Sequence, residues 1–221
     1  MKSITFDRPD GKALNGYYAE PKSGAKAPGI VVIQEWWGLN PQIRGVANRL
    51  AEAGYRALVP DLFRGKVTVE AAEAEHLMSN VNFGDAAGQD IRGAVQYLKS
   101  DSAKVGVTGF CMGGALTLLS AVIVPEADAA VSWYGFPPLE YIDAGKIKMP
   151  VMGHFATDDA FFSIGTVDEL EKKLAASKVH FEFYRYQAGH AFANETGPAY
   201  NREAASLAWT RTMEFFEKNL R

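Results

Sequence analysis

Apolar positions in this chain come in two kinds of run that take turns along its length. Short continuous apolar runs recur at 29–34, 56–60, 104–110, 129–134 and 150–155, each bounded by glycine, proline or a polar turn. Runs of this kind predict strands buried on both faces of a parallel sheet. Between them lie stretches with helical spacing. In 85–98, for example, Ile91, Ala94, Val95 and Leu98 share one helix face. Further helices are predicted at 41–53, capped by Asn40 with Pro41 in its first turn, at 70–78, after Cys111, at 167–176 and at 202–218. A last strand is predicted at 179–186. The beginning reads differently. Residues 4–6 and 13–20 flank Asp10-Gly11 and predict an antiparallel hairpin, while 21–28 and 61–67 read as loops.

Strands alternating with helices imply an α/β fold: a mainly parallel sheet, right-handed crossovers, and helices on both faces. The hairpin adds antiparallel strands at one edge. No repeat, low-complexity segment or linker interrupts the pattern, so residues 1–221 are read as one domain. In such sheets chemistry collects at the C-terminal ends of the strands.

Three loops at that edge carry reactive side chains. Gly109-Phe110-Cys111-Met112-Gly113 joins a β-branched run to an apolar helix-forming run. This is G-x-C-x-G, the nucleophile-elbow spacing with sulfur in place of the usual hydroxyl. The glycines let strand and helix pass closely at a strained turn. A cysteine at the N-terminus of that helix is expected to favour the thiolate. Asp158 and Asp159 follow the 150–155 strand, and His190 follows the last strand within Gln187-Ala188-Gly189-His190. The chain order is nucleophile, acid, histidine, and either aspartate fits the loop. Of the other histidines, His154 reads as core, His76 as part of a solvated helix, and His180 as the opening of a strand. Trp36, Trp37, Trp133, Tyr134, Phe136, Phe161 and Phe192 are candidates to line an acyl pocket.

Composition narrows the function classes. A formal net charge of −3 with 48% apolar residues argues against a nucleic-acid or anionic-membrane surface. The longest apolar run, 115–125, is too short to span a bilayer, and the first residues lack the apolar segment of a signal peptide. The single cysteine forbids an intramolecular disulfide and suits a reducing compartment, so a cytoplasmic location is expected. No metal-ligand spacing occurs, and neither a metal nor an organic cofactor is expected. Nothing in the sequence sets the oligomeric state.

The chain also resembles the dienelactone hydrolases (carboxymethylenebutenolidases) over nearly its whole length. The marks are Gln34-Glu35-x-x-Gly38, Pro60-Asp61-Leu62-Phe63, Gly109-Phe110-Cys111-Met112-Gly113-Gly114, Trp133-Tyr134-Gly135, Asp159-x-Phe161 and Ala188-Gly189-His190-x-Phe192-Ala193. The resemblance implies the α/β-hydrolase fold and a Cys111-Asp159-His190 triad. It selects Asp159 over Asp158 because the family's aspartate precedes any residue and then phenylalanine. It also implies that Glu35 switches the thiol to thiolate when substrate arrives, and that the Met112 and Trp36 N–H groups form an oxyanion hole. The family binds its substrate's carboxylate with two arginines, one of them four residues after the histidine. Here that position is Asn194, which offers neither cation nor bidentate fork, and Arg64 is the nearest basic candidate for the other. Trp36-Trp37 in place of smaller residues points to a changed pocket.

The leading expectation is a cysteine-dependent hydrolase of a small ester or lactone, shifted away from dienelactone. Trp37, Tyr134, Phe161, Phe192, Asn194 and Arg64 would contact the substrate. A redox-sensitive or ligand-binding thiol on the same scaffold, and an acyltransferase, are the alternatives.

Overall fold

The structure is a computed structural model that describes residues 2–22 and 26–221. β1 (Lys2–Asp7) and β2 (Ala13–Ala19) form the hairpin, with Gly11 at a φ of 81° in its turn. β3 (Gly29–Ile33) is followed by α1 (Pro41–Glu52), whose cap is the Asn40 side chain accepting from the Ile43 N–H at 3.0 Å. β4 (Arg56–Pro60), α2 (Ala71–Ser79), α3 (Phe83–Asp85) and α4 (Arg92–Lys99) come next. β5 (Val105–Phe110), α5 (Met112–Ile123), β6 (Ala129–Trp133), β7 (Val151–Asp158), α6 (Ile164–Ala175), β8 (Phe181–Gly189) and α7 (Arg202–Leu220) complete the chain.

The sheet has eight strands in the order β1-β2-β4-β3-β5-β6-β7-β8. β2 pairs antiparallel with both β1 and β4, and every pair from β4 to β8 is parallel. Alternate residues of β3 serve opposite layers. Ile30 and Val32 belong to the layer of Ile43, Val46 and Leu50 of α1 and Phe216 of α7, whereas Val31 and Ile33 belong to the layer that holds α4 and α5. Each fully buried valine or isoleucine contributes about 1.5–3 kcal/mol, so β3 and β5 anchor the fold from its centre.

The structure departs from the sequence reading in three places. The helix expected at 85–98 occupies 83–99 and contains a π-helical stretch, Ala86–Ile91. The extra residue per turn brings Asp90, 2% exposed, against Arg8 and Arg64, with nitrogen–oxygen distances of 2.9 Å to each. Second, β7 runs on to Asp158 and β8 to Gly189, because their ladder continues past the point where the apolar pattern stops. Third, β8 begins at Phe181, leaving His180 just outside it. The expected loop at 21–28 falls partly outside the described residues. Among the described residues, no helix is long and apolar enough to cross a membrane.

Candidate active site

β5 turns into α5 through Cys111, whose φ of 54° and ψ of −113° lie outside the usual regions for a side-chain-bearing residue. The surrounding glycines make this turn possible. A Cβ on Gly109 would strike the Gly113 carbonyl, one on Gly113 the carbonyls of Ile33 and Gln34, and one on Gly135 the carbonyl of Cys111. Strand, helix and the loop after β6 therefore approach at backbone distance.

His190 stands just beyond β8, with its Nε2 3.1 Å from Cys111 Sγ. Its Nδ1 lies 2.7 Å from Asp159 Oδ2. The other oxygen of Asp159 accepts from the Phe161 and Phe162 N–H groups at 2.8 and 3.0 Å, which fixes the carboxylate. Asp158 occupies the last position of β7, and its carboxylate accepts from Gln187 Nε2 at 3.0 Å on the exposed side. The two adjacent aspartates part where β7 ends: Asp158 closes the strand on its exposed side, and Asp159, the first residue beyond it, alone reaches the imidazole. His154 is a core residue, its ring nitrogens 2.9 Å from Tyr186 Oη and 2.8 Å from Thr212 Oγ1, and burial lowers its pKa to about 3.

For the resting thiol, the helix N-terminus alone favours the thiolate, whereas the family resemblance implies a thiol that ionises only when substrate arrives; the surroundings favour the second. Burial, then the charge of Glu35, push Cys111 up to about 12, and Asp159 adds to the rise against the opposing Met112 backbone hydrogen bond. The helix N-terminus does not offset desolvation beside two carboxylates, so the surroundings favour the neutral thiol over the thiolate.

Glu35, 4% exposed, follows β3. Tyr134 Oη donates to its Oε1 at 3.0 Å, and Asn194 Nδ2 donates to its Oε2 at 2.7 Å. Asn194 Oδ1 in turn accepts from the Thr196 N–H and Oγ1 at 3.0 and 2.7 Å, which fixes the orientation of the amide. Burial raises the Glu35 pKa, and the bonds from Asn194 and Tyr134 and the charge of His190 only partly counter it. This network ties together the loops after β3, β6 and β8. Asn194 was readable from the sequence only as a missing cation; its bond to Glu35 carried no local signal.

Above the thiol opens a cleft of about 530 Å³, within the usual range for a small-molecule site. Trp36, Trp37, Phe136, Phe161, Asn194, Met112, Cys111 and His190 all line it. Its remaining walls include Met78, from the helix expected at 70–78, Phe83, just beyond it, and the Pro137-Pro138 and Pro198-Ala199 pairs, none of which the sequence reading placed at the cleft. Three expected substrate contacts lie elsewhere. Tyr134 is wholly buried beneath His190, with its hydroxyl committed to Glu35. Phe192 is also wholly buried, packed against Trp133, Tyr134 and Tyr186 in the core. Arg64 pairs with Asp90 and donates to the Asp61 carbonyl, lining a separate hollow. In each case a tertiary partner absorbs a side chain whose loop position alone suggested the cleft. A larger hollow of about 840 Å³, lined by Lys148, Lys173 and Lys178, lies where β7 and β8 begin and has no cysteine or histidine among its described lining residues. No cluster of metal-ligating side chains occurs among the described residues.

A mostly parallel sheet whose central strand ends in a strained turn, with an acid and a histidine on later strand ends, defines an α/β-hydrolase. The chain belongs to the dienelactone hydrolase family, whose model matches residues 14–220, and with it to the carboxylic ester hydrolases. It is 35% identical to the protein usf of Aquifex pyrophilus, covering 98% of each chain. It is 33% identical to a Methylorubrum extorquens protein provisionally named a carboxymethylenebutenolidase, covering 93% of this chain and 77% of that one. Among solved structures it is similar to a provisionally named dienelactone hydrolase from Klebsiella pneumoniae (TM-score 0.87, 27% identity, 98% of each chain). A dienelactone hydrolase-like promiscuous phosphotriesterase from metagenomic libraries is also similar (TM-score 0.86, 25% identity, 100% of this chain and 99% of that one).

Proposed function

We propose that this protein hydrolyses small esters or lactones through a covalent cysteine intermediate, with Cys111 as nucleophile, His190 as acid and base, and Asp159 as orienting acid. The observation that carries the reading is the unbroken line from Asp159 Oδ2 through His190 to Cys111 Sγ, with steps of 2.7 and 3.1 Å, at the floor of an apolar cleft. When a carbonyl carbon meets the sulfur, His190 Nε2 takes the thiol proton and the S–C bond forms. The backbone N–H groups of Met112 and Trp36 receive the oxyanion, each donor worth about 3 kcal/mol in the transition state. The ester C–O bond then breaks, and the alkoxide departs with the proton from His190. Water, deprotonated by the same nitrogen, releases the acid and restores the thiol. Asp159 fixes the tautomer and stabilises the imidazolium. Glu35 holds the loop that carries Trp36 and sets the charge felt by the thiol.

The substrate is shifted from dienelactone, because Asn194 stands where a carboxylate-binding cation would be required. A panel of short aryl esters and lactones tests the reading. Cys111→Ala and His190→Ala should each lower kcat by about 10³-fold or more. Wild-type rates in either variant would eliminate the mechanism.

A further inference from the structure

The cleft walls are nearly all carbon. Trp37, Phe83, Phe136, Pro138, Phe161 and Pro198 are among the lining residues, and no lysine or arginine occurs among those described. The charges close to the sulfur are acidic or already paired. Glu35 is buried and bonded only by the neutral donors Tyr134 and Asn194. Asp159 neutralises His190 when that ring is protonated. Glu195 follows Asn194 in the same loop and adds a further carboxylate to the field at Glu35. Arg64, the nearest basic candidate by sequence, is committed to Asp90 outside the cleft.

We infer that the site selects uncharged, bulky apolar esters and discriminates against esters that carry a carboxylate; this deepens the hydrolase reading above and rests on it. An anionic group entering the cleft would lose its water, find no cationic fork, and face Glu35 at close range. An apolar group would gain the whole of the aromatic and proline wall. Each added methylene should therefore raise kcat/KM by up to about fourfold until the cleft is full. A terminal carboxylate on the same chain should lower it by about tenfold or more.

The test uses a matched pair with one leaving group and one chain length, 4-nitrophenyl hexanoate and the mono-4-nitrophenyl ester of adipic acid. The full chain should show kcat/KM at least tenfold higher for the hexanoate, and equal or reversed values would overturn the inference. Phe161, 70% exposed beside His190, offers a place to add a cation without disturbing the core. Phe161→Lys should narrow the hexanoate-to-adipate ratio at low salt and restore it partly at high salt. A ratio unmoved by the new cation would count against charge as the cause. Binding is read separately in Cys111→Ala by quenching of tryptophan fluorescence, since Trp36 and Trp37 line the cleft. Tighter binding of the hexanoate by about tenfold supports the inference even where turnover fails, and equal or tighter binding of the adipate overturns it. Loss of turnover alone would strike the hydrolase reading and leave the binding preference intact.

Discussion

Cys111 combines two properties that pull in different directions. Its left-handed backbone presents the sulfur to His190 at 3.1 Å, yet burial and the charge of Glu35 push the thiol pKa up to about 12. Under the proposed mechanism, a sulfur held in this way would attack only when His190 removes its proton during reaction. Iodoacetamide labelling of the free protein should therefore be slow at neutral pH and rise by about tenfold per pH unit between about pH 7 and pH 10. A plateau reached near neutrality would reveal a resting thiolate and favour a redox-sensing role. Asp159 and Asp158 show how much one position matters. Either is acceptable as an acid by chemistry and by loop, and the choice falls to the end of β7, where Asp158 pairs with Gln187 while Asp159, held by the Phe161 and Phe162 N–H groups, turns inward to His190.

At the scale of elements, the turn between β5 and α5 depends on what is missing from its glycines. Gly113 lies against the carbonyls of Ile33 and Gln34, so α5 is pressed onto the end of β3. Gly113→Ala should cost about 3 kcal/mol in chemical denaturation, since backbone cannot yield as a side chain can. A wild-type midpoint would show that strand and helix separate freely. The π-helical stretch Ala86–Ile91 has a comparable role in the same layer as α5. It carries Asp90 inward to the buried Arg8 and to Arg64 of the loop after β4. Asp90→Ala leaves Arg8 with Asp10 and Asp85 but without its buried partner, and a loss of about 3 kcal/mol is expected in the same assay. Arg64 is therefore a structural brace for its loop, which is why its basic side chain does not serve the cleft.

For the molecule as a whole, Glu35 is the point where loops from three strands meet. Its partners Tyr134 and Asn194 follow β6 and β8; Glu35 and Asn194 line the cleft and Tyr134 lies beneath it. The fold raises the Glu35 pKa, chiefly by burial, so the folded state binds this proton more tightly than the unfolded chain. The resulting stability is fully present below the ordinary glutamate value of 4.5 and is lost as pH rises through the raised value. Glu35→Gln does not titrate. Its melting temperature relative to wild type should therefore increase from about pH 4 to about pH 8, with the two proteins nearly alike at the acid end. A constant offset across that range would mean that Glu35 is not carrying the strained charge.

The sequence by itself determined the order of the elements, the terminal hairpin and the tight turn at Cys111. It also showed that an aspartate and His190 belong to the same edge as that cysteine. These features depend on local physics: the period of apolar residues, the turn chemistry of Asp10-Gly11, and the steric need for glycine beside a strained residue. The tertiary structure alone decided that Tyr134 and Phe192 are core rather than cleft, that Arg64 is spent on Asp90, and that Met78 and Phe83 supply a wall. It also buried the thiol beside Glu35 and Asp159, which raises its pKa. Those outcomes depend on burial and on distances between residues far apart in the chain, where a low dielectric turns each neighbour into a large energetic term.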